Sequence, residues 1–500
     1  MTRETLEASA RTLVAITAVW LATLGGMYAP ASGAEPALPP GLQAEPQEPA
    51  LPPGLEGAGS EPSLPVGLDP PAPEQPPLPE GLGEAPARAE ASEPEAQPGT
   101  PLRLAGFWEA RAGARLRESE HERRSAIGET RVQLDLETAA TGATFRLVAD
   151  LLYDGLADTH AVDLETGQGY LDLREANALF SPAAWADIKA GRQILTWGTG
   201  DLLFINDLFP KDYVAFFTGR DEAYLKAPSD ALKVSGFSPW FNADVVYTPR
   251  FDADRFITGE RISYYDPAQG RIVGRDTDLQ VQRPQDGSAD DEWALRLYRN
   301  LGAYEVALYG YDGFWKSPAG MDPGTGQATF PRLAVYGASL RGPLGPGIAH
   351  LELGRYDSRD DPGGDDPLVR NSEARLLLGY EQEAARNLIL GLQVYLERLE
   401  DYDAYRDTLP AGMPARDELR RVVTLRATWL TLSQNLRWSL FAFYSPTDRD
   451  SYARPKVSYR IDDHWTAELG GNLFHGEEPH TFFGQLEDNA NAYAALRYGY

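Results

Sequence analysis

The feature that most constrains the fold of this chain is a two-residue alternation of apolar and polar side chains, which starts near Leu104 and recurs to the C-terminus. In one such stretch Phe145 and Leu147 alternate with Arg146 and Asp150. A period of two predicts β-strands with one apolar and one polar face. The eighteen predicted strands begin near Leu104, Thr130, Thr144, Gly169, Asp187, Ala231, Trp240, Glu292, Ala303, Arg332, Gly347, Ser372, Asn387, Arg420, Asn435, Pro455, His464 and Asn491.

The connections between these strands indicate whether the apolar faces meet a protein core or lipid. Short turns such as Ser238-Pro239 alternate strictly with long polar loops such as residues 250–291. This layout is typical of outer-membrane barrels, and strands of about ten residues match a tilted crossing of the hydrocarbon layer. We predict a closed antiparallel transmembrane β-barrel of 18 strands. Sixteen strands stay an alternative, because the patterns of residues 169–180 and 455–460 are weak.

The first hundred residues have a different composition. Residues 1–34 contain a short apolar run behind two arginines, followed by small residues, and this pattern predicts a cleaved secretory signal peptide. Residues 35–100 contain 18 of the 39 prolines and twelve carboxylates against the single base Arg88, which predicts a disordered periplasmic tail. Residues 101–500 form the predicted barrel.

A pentapeptide repeat runs through the tail. It is Leu-Pro-Pro-Gly-Leu at residues 38–42, and related copies follow at 51–55, 64–68 and 78–82. Polyproline II runs interrupted by glycine form a semi-rigid spacer. The repeat is therefore interpreted as a spacer, or as a docking motif for a periplasmic partner or exporter.

Composition excludes several functional classes. The chain has 74 acidic and 46 basic residues, a formal charge of −28, so nucleic acid is excluded as a partner. It has no cysteine, which removes disulfides, thiolate metal sites and cysteine nucleophiles. None of the six histidines belongs to a catalytic or metal motif, and no phosphate-binding loop occurs. We predict no enzyme, cofactor or metal site, with an outer-membrane hydrolase as the weakest alternative.

Three short runs carry a family resemblance: Leu173-Arg174-Glu175-Ala176, Gly191-Arg192-Gln193 followed by Trp197-Gly198, and residues 483–493. Together they resemble a largely uncharacterised family of proteobacterial outer-membrane porin-like proteins, related in layout to alginate-export type barrels. The resemblance implies a monomeric channel of eighteen strands, sometimes associated with exporters of the resistance-nodulation-division type. The Pro-rich tail is a departure from that family.

Two sets of residues are candidates for the pore. If the apolar faces meet lipid, the polar faces line the interior, and charges of both signs there form a selectivity lining or, equally, a ladder of neutralising ion pairs. The predicted lining residues are Gln133, Asp135, Glu137, Arg146, Asp150, Arg296, Tyr298, Glu305, Tyr309, Arg375, Arg426, Arg437 and Arg497. Residues 196–230 are too aromatic for a free loop, so we predict a constriction in the barrel mouth, with a lid on neighbouring loops as the alternative. Its predicted residues are Arg192, Gln193, Trp197, Asn206, Asp207 and Asp212.

The chain ends inside its last predicted strand, with Tyr498 and Tyr500 on one face. A terminal aromatic strand resembles the signal read by the barrel-assembly machinery of Gram-negative bacteria. The sequence thus predicts an outer-membrane channel for passive passage or partner-driven export of small polar or amphiphilic solutes. The alternative is a structural anchor in the outer-membrane lipid that displays the Pro-rich tail.

Overall fold

The computed structural model describes residues 102–140, 142–277, 279–285 and 289–500. The predicted signal peptide, 1–34, and the Pro-rich tail, 35–100, lie outside the described residues. Two short α-helices occur in the described part, α1 (Tyr213–Thr218) and α2 (Tyr402–Thr408). The strands of the described part are β1 Arg103–Arg115, β2 Ser125–Ala140, β3 Ala143–Asp154, β4 Leu171–Ala183, β5 Ala186–Ile194, β6 Pro228–Gly236, β7 Asn242–Thr248, β8 Tyr264–Asp266, β9 Arg271–Val273, β10 Val281–Gln282, β11 Glu292–Leu301, β12 Tyr304–Phe314, β13 Gly320–Met321, β14 Ala328–Thr329, β15 Arg332–Leu344, β16 Gly347–Ser358, β17 Glu373–Ala385, β18 Leu388–Leu399, β19 Leu419–Thr431, β20 Leu436–Ser445, β21 Asp450–Arg460, β22 Trp465–Gly476 and β23 Asn491–Gly499.

Eighteen of these strands form one closed antiparallel barrel. Each pairs with its neighbours in chain order, and β8, β9, β10, β13 and β14 form small separate sheets in the loops. The barrel closes where β23 pairs with β1, for example at Glu109 and Arg497. Closure gives every wall strand two partners, so no edge is left open. The prediction of eighteen strands is confirmed, and both weakly patterned stretches are strands, β4 and β21.

The alternation of faces follows the sequence pattern. On β3, Leu147, Leu151 and Tyr153 are exposed on the outside of the wall, whereas Asp150 between them is fully buried. The same alternation holds on β19, where Leu425 is exposed and Arg426 is buried. The barrel therefore has an apolar outer surface and a polar inner one, the reverse of a water-soluble β-protein.

The strict alternation of short and long connections is wrong at one place. The connection between β20 and β21 is only residues 446–449, because β21 begins at Asp450 and not near Pro455. A tight turn closes it, in which the Asp448 amide donates to Ser445 Oγ at 3.1 Å. Pro455 pairs with Leu440 of β20 but has no partner on β22. Proline has no N–H group to donate to a strand ladder. Because of Pro455, the sequence prediction placed the start of this strand five residues too late.

Among the described residues, no helix has the length and hydropathy that a membrane span requires.

Candidate functional site

The connection between β5 and β6, residues 195–227, lies inside the barrel, and we call it the interior segment. Two glycines with positive φ lie near its start, Gly191 within β5 and Gly198 within the segment. Gly191 has a φ of 117°, and a Cβ there would lie 2.3 Å from the Ala176 carbonyl oxygen. Gly198, with a φ of 85°, follows Trp197, whose ring packs 4.9 Å from Phe209 and 6.1 Å from Tyr309 of β12. The two glycines occupy backbone conformations that other residues rarely adopt.

One wall carboxylate holds the first part of the interior segment. Glu352 of β16 is 1% exposed. It accepts hydrogen bonds from the amides of Thr199, of Gly200 at 2.8 Å and of Asn206 at 3.2 Å, and from Asn206 Nδ2 at 3.0 Å. Within the described part of the chain Glu352 forms no salt bridge, so these N–H donors stabilise its buried charge.

Aromatic packing holds the middle of the segment. The Phe217 ring of α1 lies 5.7 Å from Tyr452 of β21 and 5.4 Å from Phe474 of β22, in edge-on geometry. Phe216 packs on Tyr452 at 5.8 Å, and the Arg454 guanidinium lies 4.5 Å from the Phe216 ring. These contacts bury apolar surface inside a wall that is otherwise polar, which explains why a segment so rich in aromatic residues does not project into water.

Three carboxylates of the segment pair with basic side chains of the wall. Asp201 and Glu222 share Arg426 of β19, at 2.7 and 2.9 Å. Asp221 lies 3.9 Å from Lys456 Nζ of β21 and 3.8 Å from Arg497 of β23. These three acidic groups of the segment therefore face basic groups on the wall.

Burial and pairing act differently on the two carboxylates that share Arg426. Burial raises the pKa of Asp201, and Arg426 offsets this only in part. Burial also acts to raise the pKa of Glu222, but Arg426 and Arg454 outweigh it and hold that pKa below its ordinary value. Glu222 is therefore the more firmly ionised partner of Arg426.

The last part of the segment contacts the other side of the wall. Arg220 donates two bonds to Glu129 Oε2 of β2, at 3.0 and 2.8 Å. The Tyr224 hydroxyl donates to Asp150 of β3 at 2.7 Å and accepts from Gln133 Nε2 at 3.1 Å. Since the segment also contacts β12, β16, β19 and β21–β23, it crosses the interior from side to side. It also packs on the next loop, where the Lys211 amide donates to Asp254 at 2.7 Å and Arg255 binds Asp212. The constriction, with a lid on neighbouring loops as its alternative, stays a prediction.

The predicted lining residues share the inner side of the wall. Several neutralise one another: Asp135 binds Arg146 at 3.0 Å, and Arg296 binds Glu305 at 2.7 Å. Others contact the interior segment, as Arg426 does. The inward-facing positions of the predicted set are Gln133, Asp135, Glu137, Arg146, Asp150, Arg296, Tyr298, Glu305, Tyr309, Arg375, Arg426, Arg437 and Arg497. Their role in conduction stays a prediction.

The predicted constriction residues separate into two groups. Trp197 and Asn206 belong to the interior segment, and Gln193 is fully buried, with its Nε2 donating to the Ala231 carbonyl at 2.9 Å. Three predictions need correction. Arg192 lies on the outer side of the wall, paired with Asp230 at 2.8 Å, because adjacent strand residues face opposite sides. Asp207 and Asp212 do not offer polar groups to a passing solute; Lys211 binds Asp207 at 2.9 Å, Arg255 binds Asp212 at 3.2 Å, and both carboxylates are buried.

Sequence reasoning missed the residues that fix the interior segment to the wall. These are Asp201, Asp221 and Glu222 on the segment and Glu352 on β16. The sequence contained one signal for them. The charged run Arg220-Asp221-Glu222 interrupts an aromatic stretch, which is unusual for a loop that is held by apolar packing alone. The four donors to Glu352 are mostly backbone amides, so no sequence pattern marks them.

The terminal aromatic residues lie on the outer side of β23 and at its end. Tyr498 packs on Trp465 at 5.0 Å, and the Tyr500 hydroxyl donates to the Gln133 carbonyl at 2.8 Å. Their reading by an assembly machinery stays a prediction.

No protein-family model and no curated protein sequence matches the chain. Among solved structures it is similar to OccD3 (OpdP) of Pseudomonas aeruginosa, with 10% identity over 81% of this chain and 92% of that chain and a TM-score of 0.47. It is also similar to OccAB3 of Acinetobacter baumannii, with 10% identity over 80% and 99% and a TM-score of 0.46. The outer membrane channel DcaP of Acinetobacter baumannii gives 13% identity over 80% and 97%, with a TM-score of 0.39. Since these TM-scores are below 0.5, the fold assignment rests on this chain's own strand pairing.

Proposed function

We propose that this chain is an outer-membrane channel of a Gram-negative bacterium, in which the interior segment controls passage. The outer surface supports the membrane location. Trp185 and Trp240, 66% and 73% exposed, lie at short turns at one end of the wall. Trp293, Tyr153 and Tyr444 lie at the other end, where the long loops and the turn at residues 446–449 connect the strands. Two aromatic rims around an apolar wall match the two interfaces of a bilayer.

The observation that carries the proposal is the course of the interior segment. It crosses the barrel and contacts both sides of the wall, through Glu352 and Arg426 on one side and through Glu129 and Asp150 on the other. A solute must pass this segment to cross the membrane. The charges at the segment favour small polar or amphiphilic solutes, because a field between opposite charges aligns dipoles.

The tail and the assembly signal supply the remaining parts of the proposal. The acidic Pro-rich residues 35–100 act as a periplasmic spacer or docking segment, and Tyr498 and Tyr500 address the chain to the barrel-assembly machinery. If the alternative of a structural anchor were correct, residues 101–500 alone would transport nothing. We expect residues 101–500 and 35–500 to give equal solute flux, because the passage lies in the barrel.

Solute flux into proteoliposomes tests the channel function. Refolded residues 35–500 are expected to admit a small neutral sugar such as arabinose faster than protein-free liposomes do, and a large dextran no faster. A second protein, lacking residues 202–217, is measured beside it, so that a closed segment is distinguished from a barrel without a path. Folding is checked by the heat-dependent shift in gel mobility. If both folded proteins admit no arabinose, the channel proposal is wrong.

A further inference from the structure

A cavity of about 150 Å³ lies on the interior segment, between α1, β19–β20 and the loop before β23. It is predominantly apolar. Six phenylalanines line it, Phe204, Phe216, Phe217, Phe443, Phe482 and Phe483, together with Tyr213 and Tyr395. Engineered apolar cavities of this size take up a single benzene ring. Its size and lining thus match one aromatic ring and are too small for an acyl chain of a membrane lipid.

Two polar groups at the cavity have hydrogen-bonding capacity left over. Arg420 of β19 donates through Nε to Asp448 at 2.5 Å, and its Nη1 and Nη2 form no hydrogen bond with the described residues. Its guanidinium lies 5.6 Å from the Phe482 ring centroid. The Tyr213 hydroxyl likewise has no hydrogen-bond partner within the described part of the chain. Both groups are partly exposed donors, and each can donate to an acceptor that enters the cavity.

We propose that this aromatic cavity binds a small aromatic solute that carries one hydrogen-bond acceptor. The ring occupies the space between the phenylalanines, and the acceptor bonds to the Arg420 guanidinium. Asp448 already balances the charge of Arg420, so a neutral carbonyl acceptor is sufficient and a net charge is not required.

The cavity also couples binding to the interior segment. Leu202, Leu203 and Phe204 and the α1 side of the lining belong to the segment, whereas Val422 and Phe443 belong to the wall. The cavity exists only while the segment lies in its observed position. A bound solute therefore stabilises that position, because a ligand shifts an equilibrium towards the state that binds it.

The test measures binding of 4-fluoroacetophenone to residues 35–500 in detergent by fluorine NMR, and needs no conduction. It therefore separates failure of this inference from failure of the channel proposal. Val422→Phe fills the cavity from β19, and Val423→Phe is the matched control, since the adjacent side chain faces outward. We expect Val422→Phe to weaken binding of the probe by about tenfold or more, because the new ring takes the space and the contacts of the bound ring. Val423→Phe should leave binding unchanged.

A second pair of variants tests the polar end. Wild type is expected to bind 4-fluoroacetophenone about tenfold more tightly than 4-fluorotoluene, which lacks the acceptor. Arg420→Met should abolish this preference, while Arg421→Met on the opposite face should retain it. If the folded Val422→Phe and Val423→Phe proteins bound the probe equally, the signal would come from probe dissolved in the detergent. That result would overturn the inference. Binding of both probes with equal affinity by wild type would overturn the role of Arg420.

Discussion

At the scale of single residues, Glu352 has the most consequential set of contacts in the interior. It is a buried carboxylate, and the hydrogen bonds that it accepts from the described residues all come from the interior segment. Replacement of Glu352 by glutamine keeps one acceptor oxygen but exchanges the other for an N–H₂ group. The N–H groups of the segment that bonded to that second oxygen then have no acceptor. Each such loss costs about 1–3 kcal/mol. The charge of Glu352 therefore positions the segment and does not merely fill the wall.

We predict that Glu352→Gln accelerates hydrogen exchange at the amides of residues 199–206 by about tenfold or more, because local opening of the segment becomes easier. Exchange followed by mass spectrometry measures the effect. Glu305→Gln is the matched control: Glu305 also lies on the inner wall but pairs with Arg296, at 2.7 Å. Equal exchange in the two variants would show that Glu352 does not anchor the segment.

A second residue predicts a dependence on pH. Burial raises the pKa of the Glu122 carboxyl, in the loop between β1 and β2, to about 7, although Arg115 at 3.6 Å acts to lower it. One of its oxygens, Oε1, has no hydrogen-bond partner among the described residues. The unfolded chain has an ordinary glutamate pKa of about 4.3. Between these two pKa values the folded state thus keeps a proton on Glu122 that the unfolded chain has lost. The free energy of unfolding therefore falls as pH rises through this range.

We expect the unfolding temperature of the barrel in detergent to decrease between pH 4.5 and pH 7.5, and part of that decrease to vanish in Glu122→Gln. The exposed neighbour Glu120 provides the control variant, Glu120→Gln, which should keep the full decrease. If the profiles of wild type and Glu122→Gln coincide, the buried carboxyl has no effect on stability.

At the scale of elements, the wall strands were predictable and the interior segment was predictable only in part. All eighteen strand starts lie within five residues of the predicted ones, because a face towards lipid and a face towards water impose a period of two on each strand. The aromatic content of residues 196–230 indicated burial in the mouth. The ion pairs of Asp201, Asp221 and Glu222 could not be predicted, since their partners are distant in sequence and depend on the course of the backbone.

A disulfide can test whether the segment moves, since the chain has no cysteine of its own. A Cβ on Gly354 of β16 would lie 2.6 Å from Ile205 Cγ2 of the interior segment, and its other nearest atoms belong to a side chain. We predict that Gly354→Cys with Ile205→Cys forms a disulfide, and that oxidation slows hydrogen exchange across residues 199–206 until reductant is added. Each single cysteine variant is the control and should not respond to oxidant. A double variant that oxidises but exchanges as fast as before would show that the segment is already rigid.

At the scale of the whole molecule, the closed wall and the interior segment have different roles. Closure satisfies the backbone of every wall strand in a medium without water, and the apolar outer face fixes the barrel in the bilayer. The wall alone would enclose a wide polar interior, as barrels of this strand number do. The interior segment narrows that space through Glu352, Arg426, Glu129 and the phenylalanines of α1. In the proposed channel, control of passage therefore lies in this one segment.

Single-channel conductance in a planar lipid bilayer tests this claim most directly. Three proteins are compared: residues 35–500, the same chain without residues 202–217, and a control in which residues 265–272 of the β8–β9 hairpin are replaced by Gly-Ser. We predict a low but measurable conductance for the first and third proteins and large, steady, ohmic steps for the second. Equal conductance of all three folded proteins would contradict it, because the interior segment would then lie in the barrel without limiting passage.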